Sequence, residues 1–295
     1  MERILSAFKN LYKGEDVAKT HWLIVLFFIL PCAAASVFRF CDKDTKEIWI
    51  PLLIVGSILL LLSIIPMFML TGFNFKFLNM RLTDAVGLPK FDLDCIKIAI
   101  KLIPLSLVWG IYIGVPSFLY LGAVILVFVA YMSANQKEPL ALIVGLCLMM
   151  LFLFLLIIPL FIITPFLKFI NMKFAEKFEY TSDMFNPLTP FLYMKKAFKD
   201  SMITALKFVL VGMATSFAAQ IVTMIFVIFI MVYSVIFALF VPENSNLFIM
   251  PGFVIPVIIL SGICALVSAY VQFITAFAYS DNLMDVYKEK IRENV

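Results

Sequence analysis

The chain has 295 residues, of which 64% are hydrophobic and only 14% charged, with a net charge of +4. Soluble domains carry about 25% charged residues, so this composition excludes a water-soluble domain of useful size. The modest basic excess is dispersed along the chain rather than gathered in one patch, which excludes nucleic-acid binding as its purpose.

Six stretches hold no charged residue at all: 20–38, 48–75, 102–136, 139–167, 208–242 and 244–280. Each is rich in Leu, Ile, Val and Phe, and a membrane span needs roughly 20 such residues, so each predicts a transmembrane helix. Two spans plus a turn would need about 40 residues, so the longer stretches are single helices, tilted or kinked. The first span contains Cys32-Ala33-Ala34-Ala35-Ser36, which looks like a small-residue cleavage site. The region before it includes Glu2, Glu15 and Asp16, unlike a compact basic leader, so the span is expected to be retained.

The segments between spans alternate in basicity. Arg3 to Lys19, Lys76 to Lys101, Lys168 to Lys207 and Lys288 to Arg292 hold nineteen of the twenty-three Lys and Arg residues; Arg39, Lys43, Lys46 and Lys137 lie on the other side. The positive-inside rule makes the basic side cytoplasmic and places both termini inside, in the cell's inner membrane. Outer turns are short, at 41–47, 133–138 and 241–246. Trp22 falls at the inner interface, Trp49 and Tyr131 at the outer. Kink candidates are Pro31, Pro66, Pro104, Pro116, Pro159 and Pro256, and Gly110, Gly114 and Pro116 make the third span the first choice for a bend.

An internal repeat overlays this pattern. Lys76–Asp84 after the second span matches Lys168–Glu176 after the fourth at almost every position, and Ile274–Phe277 with Asn282–Met284 matches Ile163–Phe166 with Asn171–Lys173 without a gap. Basic amphipathic lead-ins precede the odd spans: Ile4, Phe8 and Leu11 with Lys9 and Lys13; Ile96, Ala99, Ile100 and Ile103 beside Asp94, Lys97 and Lys101; Phe191, Met194, Phe198 and Met202 with Lys195, Lys196 and Lys199. The fold class expected is an all-α integral membrane protein, one polytopic domain over 1–295, with six helices as three parallel-oriented two-helix repeats (1–85, 91–180, 190–295) and amphipathic cytoplasmic segments.

Chemistry-bearing patterns are scarce. His21 is the single histidine and stands beside Trp22 at a membrane boundary, where an interfacial role is expected. The chain has no H-E-x-x-H, no phosphate-binding loop and no dinucleotide fingerprint, so no enzyme and no cofactor is expected. The five cysteines are scattered without metal-ligand spacing, so no metal is expected. All six spans lack ionisable Asp, Glu, Lys and Arg, which disfavours ion-coupled transport. Among polar neutral residues, Gln220 and Gln272 are candidates for a solute path, with interhelical glue as the simpler reading and a facing partner required for Gln220; Thr215, Ser216, Thr223, Ser268 and Asn74 accompany them. The repeated Asn79, Asn171 and Asn282 predict a shared architectural hydrogen bond, or a ring of amides lining a vestibule. Arg81 with Asp84 and Lys173 with Glu176 have i,i+3 spacing for solvated pairs.

The stretch Gly87-Leu88-Pro89-Lys90-Phe91-Asp92 after Arg81, and Phe174-Ala175-Glu176 followed by Phe178, Asp183-Met184-Phe185-Asn186 and the basic lead-in Lys195–Asp200, resemble a prokaryotic membrane family known as domain of unknown function 4013. Lys90 stands where members commonly carry an acid. The resemblance implies a multi-span inner-membrane protein and carries over no catalytic residue. Together these readings predict a non-enzymatic scaffold that meets membrane lipids and a protein partner at its cytoplasmic face; the alternative is a permease for a neutral or lipidic solute.

Overall fold

The computed structural model describes residues 2–13, 17–38, 46–85, 87–134, 139–240 and 255–292. Every long element among them is α-helical: α1 (Glu2–Leu11), α2 (Val17–Phe38), α3 (Lys46–Leu62), α4 (Ile64–Leu82), α5 (Asp94–Ala134), α6 (Pro139–Lys177), α7 (Thr189–Phe240) and α8 (Ile255–Lys290), with a 3-10 turn at Ser182–Phe185. Six helical spans are long and apolar enough to cross a membrane, α3 and α4 together forming one of them. The protein is a multi-span, all-α membrane protein. Its large exposed side chains are those that lipid solvates, such as Phe118, Leu126, Leu210 and Met224. Of the short turns expected at 41–47, 133–138 and 241–246, residues 41–45, 135–138 and 241–246 lie outside the described residues, while 46–47 and 133–134 are helical.

Helix lengths exceed what the bilayer requires. α5 has 41 residues and α6 has 39, or about 60 Å each at ~1.5 Å per residue, against a hydrocarbon core of about 30 Å. Their charged ends extend past the apolar layer.

Among the described residues helical geometry breaks in two places, neither of them in the third span. Ser63 interrupts the second span, its hydroxyl donating to the Leu60 carbonyl at 2.6 Å. Pro66 explains the position, since it has no N–H for the Leu62 carbonyl one turn back. The second break is at Ala197 in α7 (φ −131°, ψ 18°). By contrast α5 runs as one helix through Pro104, Gly110, Gly114 and Pro116, so the bend expected there is not a break in the helix.

Two compact units divide the chain: Met1–Ala99 with Thr204–Asn282, and Ile100–Ile203 with Leu283–Val295. In the first, α2 packs on α3 and α4, and Ala7, Leu11, Ile24, Leu70, Phe73, Phe77, Phe208 and Phe277 form a core. Phenylalanine dominates it: Phe277 meets Phe77 at 4.6 Å and Phe273 at 4.5 Å between ring centres, while Phe28 meets Phe273 edge-on. At the entrance to α5 the buried face is Cys95, Ile98, Ala99 and Leu102, at i, i+3, i+4 and i+7. Ile100, expected beside Ala99 on the apolar face, is exposed.

In the second unit Phe169 centres a cluster with Phe166, Tyr193 and Tyr287. Trp109 on α5 donates to the Met184 carbonyl at 2.9 Å, tying the span to the 3-10 turn. The α7 lead-in packs through Tyr193, Ala197 and Ser201, leaving Phe191 and Phe198 exposed. That corrects the face expected from Phe191, Met194, Phe198 and Met202. Small residues at 197 and 201 admit close packing at the break, and the two bulky rings turn outward.

Candidate functional site

The charged ends of the helices hold the polar structure of this protein, in two turns of similar construction. In the first unit α4 ends at Leu82, Asp84 adopts a left-handed conformation (φ 60°), and Gly87 (φ 102°) supplies a second reversal that glycine tolerates best. Phe91 then stacks on Phe73 with ring centres 4.0 Å apart. Asp92 accepts from the Lys76 ammonium at 2.5 Å and, with its other oxygen, from the Asp94 amide at 3.1 Å, starting α5. In the second unit α6 ends at Lys177 and Phe178 is left-handed (φ 53°). Asp183 pairs with Lys173, Thr189 donates to the Asp183 carbonyl at 2.6 Å, and the Asn186 side chain accepts the Leu188 amide at 2.9 Å. The stretches that carry the family resemblance thus build turns and start helices.

The electrostatics follow the pairing. Lys76 beside Asp92 holds that carboxyl below the usual carboxylate range, against the opposing push of partial burial. Burial pushes Asp183 up, but Lys173, Thr181 and a backbone amide together outweigh it and hold it low. A carboxyl with a depressed pKa stabilises the fold fully above its unfolded value of about 4, and that contribution is lost as pH falls through the lower folded value. The thermal midpoint should therefore fall on acidification from pH ~5 to pH ~3, and Lys76→Gln or Lys173→Gln should flatten that dependence; a midpoint series over this range checks it.

The sequence candidates are distributed differently from the expectation. Gln220 and Gln272 are both exposed in the first unit, and neither has a hydrogen-bond partner among the described residues. The facing partner required of Gln220 is absent there. Thr215 and Thr223 instead satisfy their hydroxyls on their own helix, at the Gly212 and Ala219 carbonyls. Asn79, Asn171 and Asn282 are all half-buried. Asn282 donates back to Ala278 on its own helix at 3.1 Å, and Asn171 has no partner among the described residues. The three amides do not make one shared bond.

Ion pairs also reach further than the helical spacing predicted. Arg81 pairs with Asp281, 200 residues away, and donates to the Ala85 carbonyl at 2.9 Å. Glu176 receives the Tyr287 hydroxyl at 3.2 Å and has Arg292 at 3.6 Å. Lys97 and Asp94, expected only as part of a polar stripe, form an i,i+3 pair at 2.9 Å on an exposed face. Spacing along one helix cannot reveal partners on another, and no signal in the sequence marks Asp281 beyond its place as the first charge after the sixth span.

Three exposed lysines of the α7 lead-in, Lys195, Lys196 and Lys199, have no acid paired to them among the described residues. They stand beside exposed Phe191, Leu192 and Phe198. Within the second unit a hollow of ≈ 360 Å³ opens between α5 and α6, with Pro116 and Pro159 on its walls and Tyr112, Ser117 and Tyr120 as its polar side chains. Tyr120 donates to the Phe152 carbonyl at 2.9 Å. Among the described residues no group of three or more His, Cys, Asp or Glu is placed to hold a metal. No protein-family model, curated protein or solved structure matches this chain.

Proposed function

We propose that this protein is a non-enzymatic scaffold of the inner membrane, with both termini cytoplasmic and three like-oriented hairpins, and that it holds a protein partner on the basic arm that opens α7. Kinship with the family of unknown function named above belongs to the same proposal. The observation that carries it is the arm itself: Lys195, Lys196 and Lys199, with no acid paired to them among the described residues, project beside Phe191, Leu192 and Phe198, which are 47%, 53% and 48% exposed. Three unneutralised cations interleaved with large apolar groups match an acidic, amphipathic partner segment. Lys173 is a poor probe of this role, because its ammonium is committed to Asp183.

The second reading, a permease for a neutral or lipidic solute, draws support from the α5–α6 hollow rather than from Gln220 and Gln272. One paired experiment separates the two. Crosslinking in native membranes followed by pull-down should recover a stoichiometric partner from the wild type, and the Lys195→Gln/Lys196→Gln/Lys199→Gln variant should release it. Proteoliposomes should show no flux of neutral solutes above protein-free vesicles. A partner that survives the triple substitution overturns the arm, and a flux abolished by Ser117→Leu establishes the permease.

A further inference from the structure

Where α1 meets α2, three rings from distant parts of the chain form a polar chain at the edge of the apolar layer. His21 stacks on Tyr12 (ring centres 4.5 Å, planes 9° apart) and meets Tyr270 of α8 edge-on at 6.0 Å. Its Nε2 lies 3.2 Å from the Leu11 carbonyl and its Nδ1 2.8 Å from the Tyr270 hydroxyl. A carbonyl can only accept, so Nε2 carries the proton; in the neutral ring Nδ1 then accepts from Tyr270. The Tyr270 hydroxyl is thereby spent as a donor. The 3.5 Å contact between the two hydroxyls is therefore Tyr12 donating to Tyr270, a long bond that the half-exposed Tyr12 O–H can exchange for an outside acceptor.

These rings head a groove of ≈ 490 Å³ whose remaining walls, Val17, Ala18, Trp22 and Val25, are apolar or aromatic. Trp22 is 68% exposed, so the groove opens to lipid at the level where indole rings favour the interface. Lys9, Lys13 and Lys19 are exposed in the segments that form the groove's head, and none has an ion-pair partner among the described residues.

We propose that the Tyr12–His21–Tyr270 groove is a binding site for an anionic phospholipid, its phosphate received by the Tyr12 hydroxyl and the flanking lysines and its acyl chain lying along Trp22 and Val25. A soluble anion would have no use for the apolar walls. A zwitterionic lipid would bring its own cation toward Lys13 and Lys19, and near-surface lysines favour anionic lipid roughly fivefold each. The site is independent of the α7 arm and of the hollow between α5 and α6.

The test uses the full-length chain in vesicles that contain brominated phosphatidylglycerol or brominated phosphatidylcholine at low mole fraction. The Trp22 signal is taken as the difference between wild type and Trp22→Phe. Phosphatidylglycerol should quench it several-fold more than phosphatidylcholine, and Lys13→Gln/Lys19→Gln, which alters exposed residues only, should remove the preference. Tyr12→Phe, which deletes one hydroxyl and keeps the ring stack, should weaken it. Equal quenching by the two lipids would mean ordinary annular contact and overturn the proposal, as would a preference that survives the lysine substitutions. Displacement of the lipid by millimolar glycerol phosphate would also overturn it, since the site would then recognise a soluble anion.

Discussion

Replacing Gly72 by alanine should unfold the junction between α4 and α5, at a cost of at least about 3 kcal/mol, the upper end of what overpacking imposes. A Cβ at this position would lie 1.7 Å from the Cys95 carbonyl oxygen and 2.4 Å from its carbon. Both atoms are backbone, so no side-chain rotation can relieve the overlap; α4 must move away from the first turn of α5. That movement also separates Phe73 from Phe91 and Lys76 from Asp92, which hold the same junction. The thermal midpoint in detergent should drop on the order of 10 °C, and Cys95, fully buried in the wild type, should become reactive to a thiol reagent in a background where it is the sole cysteine. Gly110, Gly114 and Gly122 supply the controls. Nothing lies within 4 Å of a Cβ at any of them, so alanine there should not destabilise and, by its helix preference over glycine, should add up to about 1 kcal/mol. Gly72→Ala behaving like these controls would refute the close approach.

Gly72 also shows where sequence reading stops. The six spans were legible because lipid imposes a property of single segments, a run of uncharged residues of sufficient length, and no knowledge of neighbours is needed to see it. The turn residues Gly87, Asp92 and Asn186 came into view only through the family resemblance, although each acts on backbone within a few residues of itself. The packing face of a helix in lipid was not legible. In water the apolar side of a helix is the buried side, but in lipid solvent and interior are both apolar, so span residues such as Phe118 and Leu126 carry no information about direction; in the charged α7 lead-in Phe191 and Phe198 also face outward, and the contact falls to Tyr193, Ala197 and Ser201. The same ambiguity misled the reading of Gln220. An amide in a lipid span was expected to face a partner, and it is exposed instead. Close approach by glycine and long-range pairing by Arg81 depend on residues from distant segments, and the recurrence of Asn79, Asn171 and Asn282 did not disclose that Asn282 bonds back to its own helix while Asn171 has no partner among the described residues.

The pair between Arg81 and Asp281 should be the costliest charged contact to break. Arg81 closes α4 and Asp281 stands on α8, and their side chains are only 15% and 6% exposed. Both lie in the first compact unit, where the pair joins the end of α4 to α8. Asp281→Ala would remove the carboxylate from beside a guanidinium that water can reach little of, although one of its N–H groups still meets the Ala85 carbonyl. Removing one partner of such a pair costs about 3–5 kcal/mol, most of it from the charge left behind rather than from the attraction lost. Arg81→Met should cost a similar amount, because it strands the carboxylate and orphans the Ala85 carbonyl. The double variant Arg81→Met/Asp281→Leu separates this account from simple loss of packing. With no charge left to strand, its stability should exceed that of either single variant, although it has lost more of the native side chains. Thermal midpoints of the four proteins in one detergent complete the cycle. Additive losses would mean that the two charges are each solvated independently, and the buried pairing would then not describe the protein in its membrane.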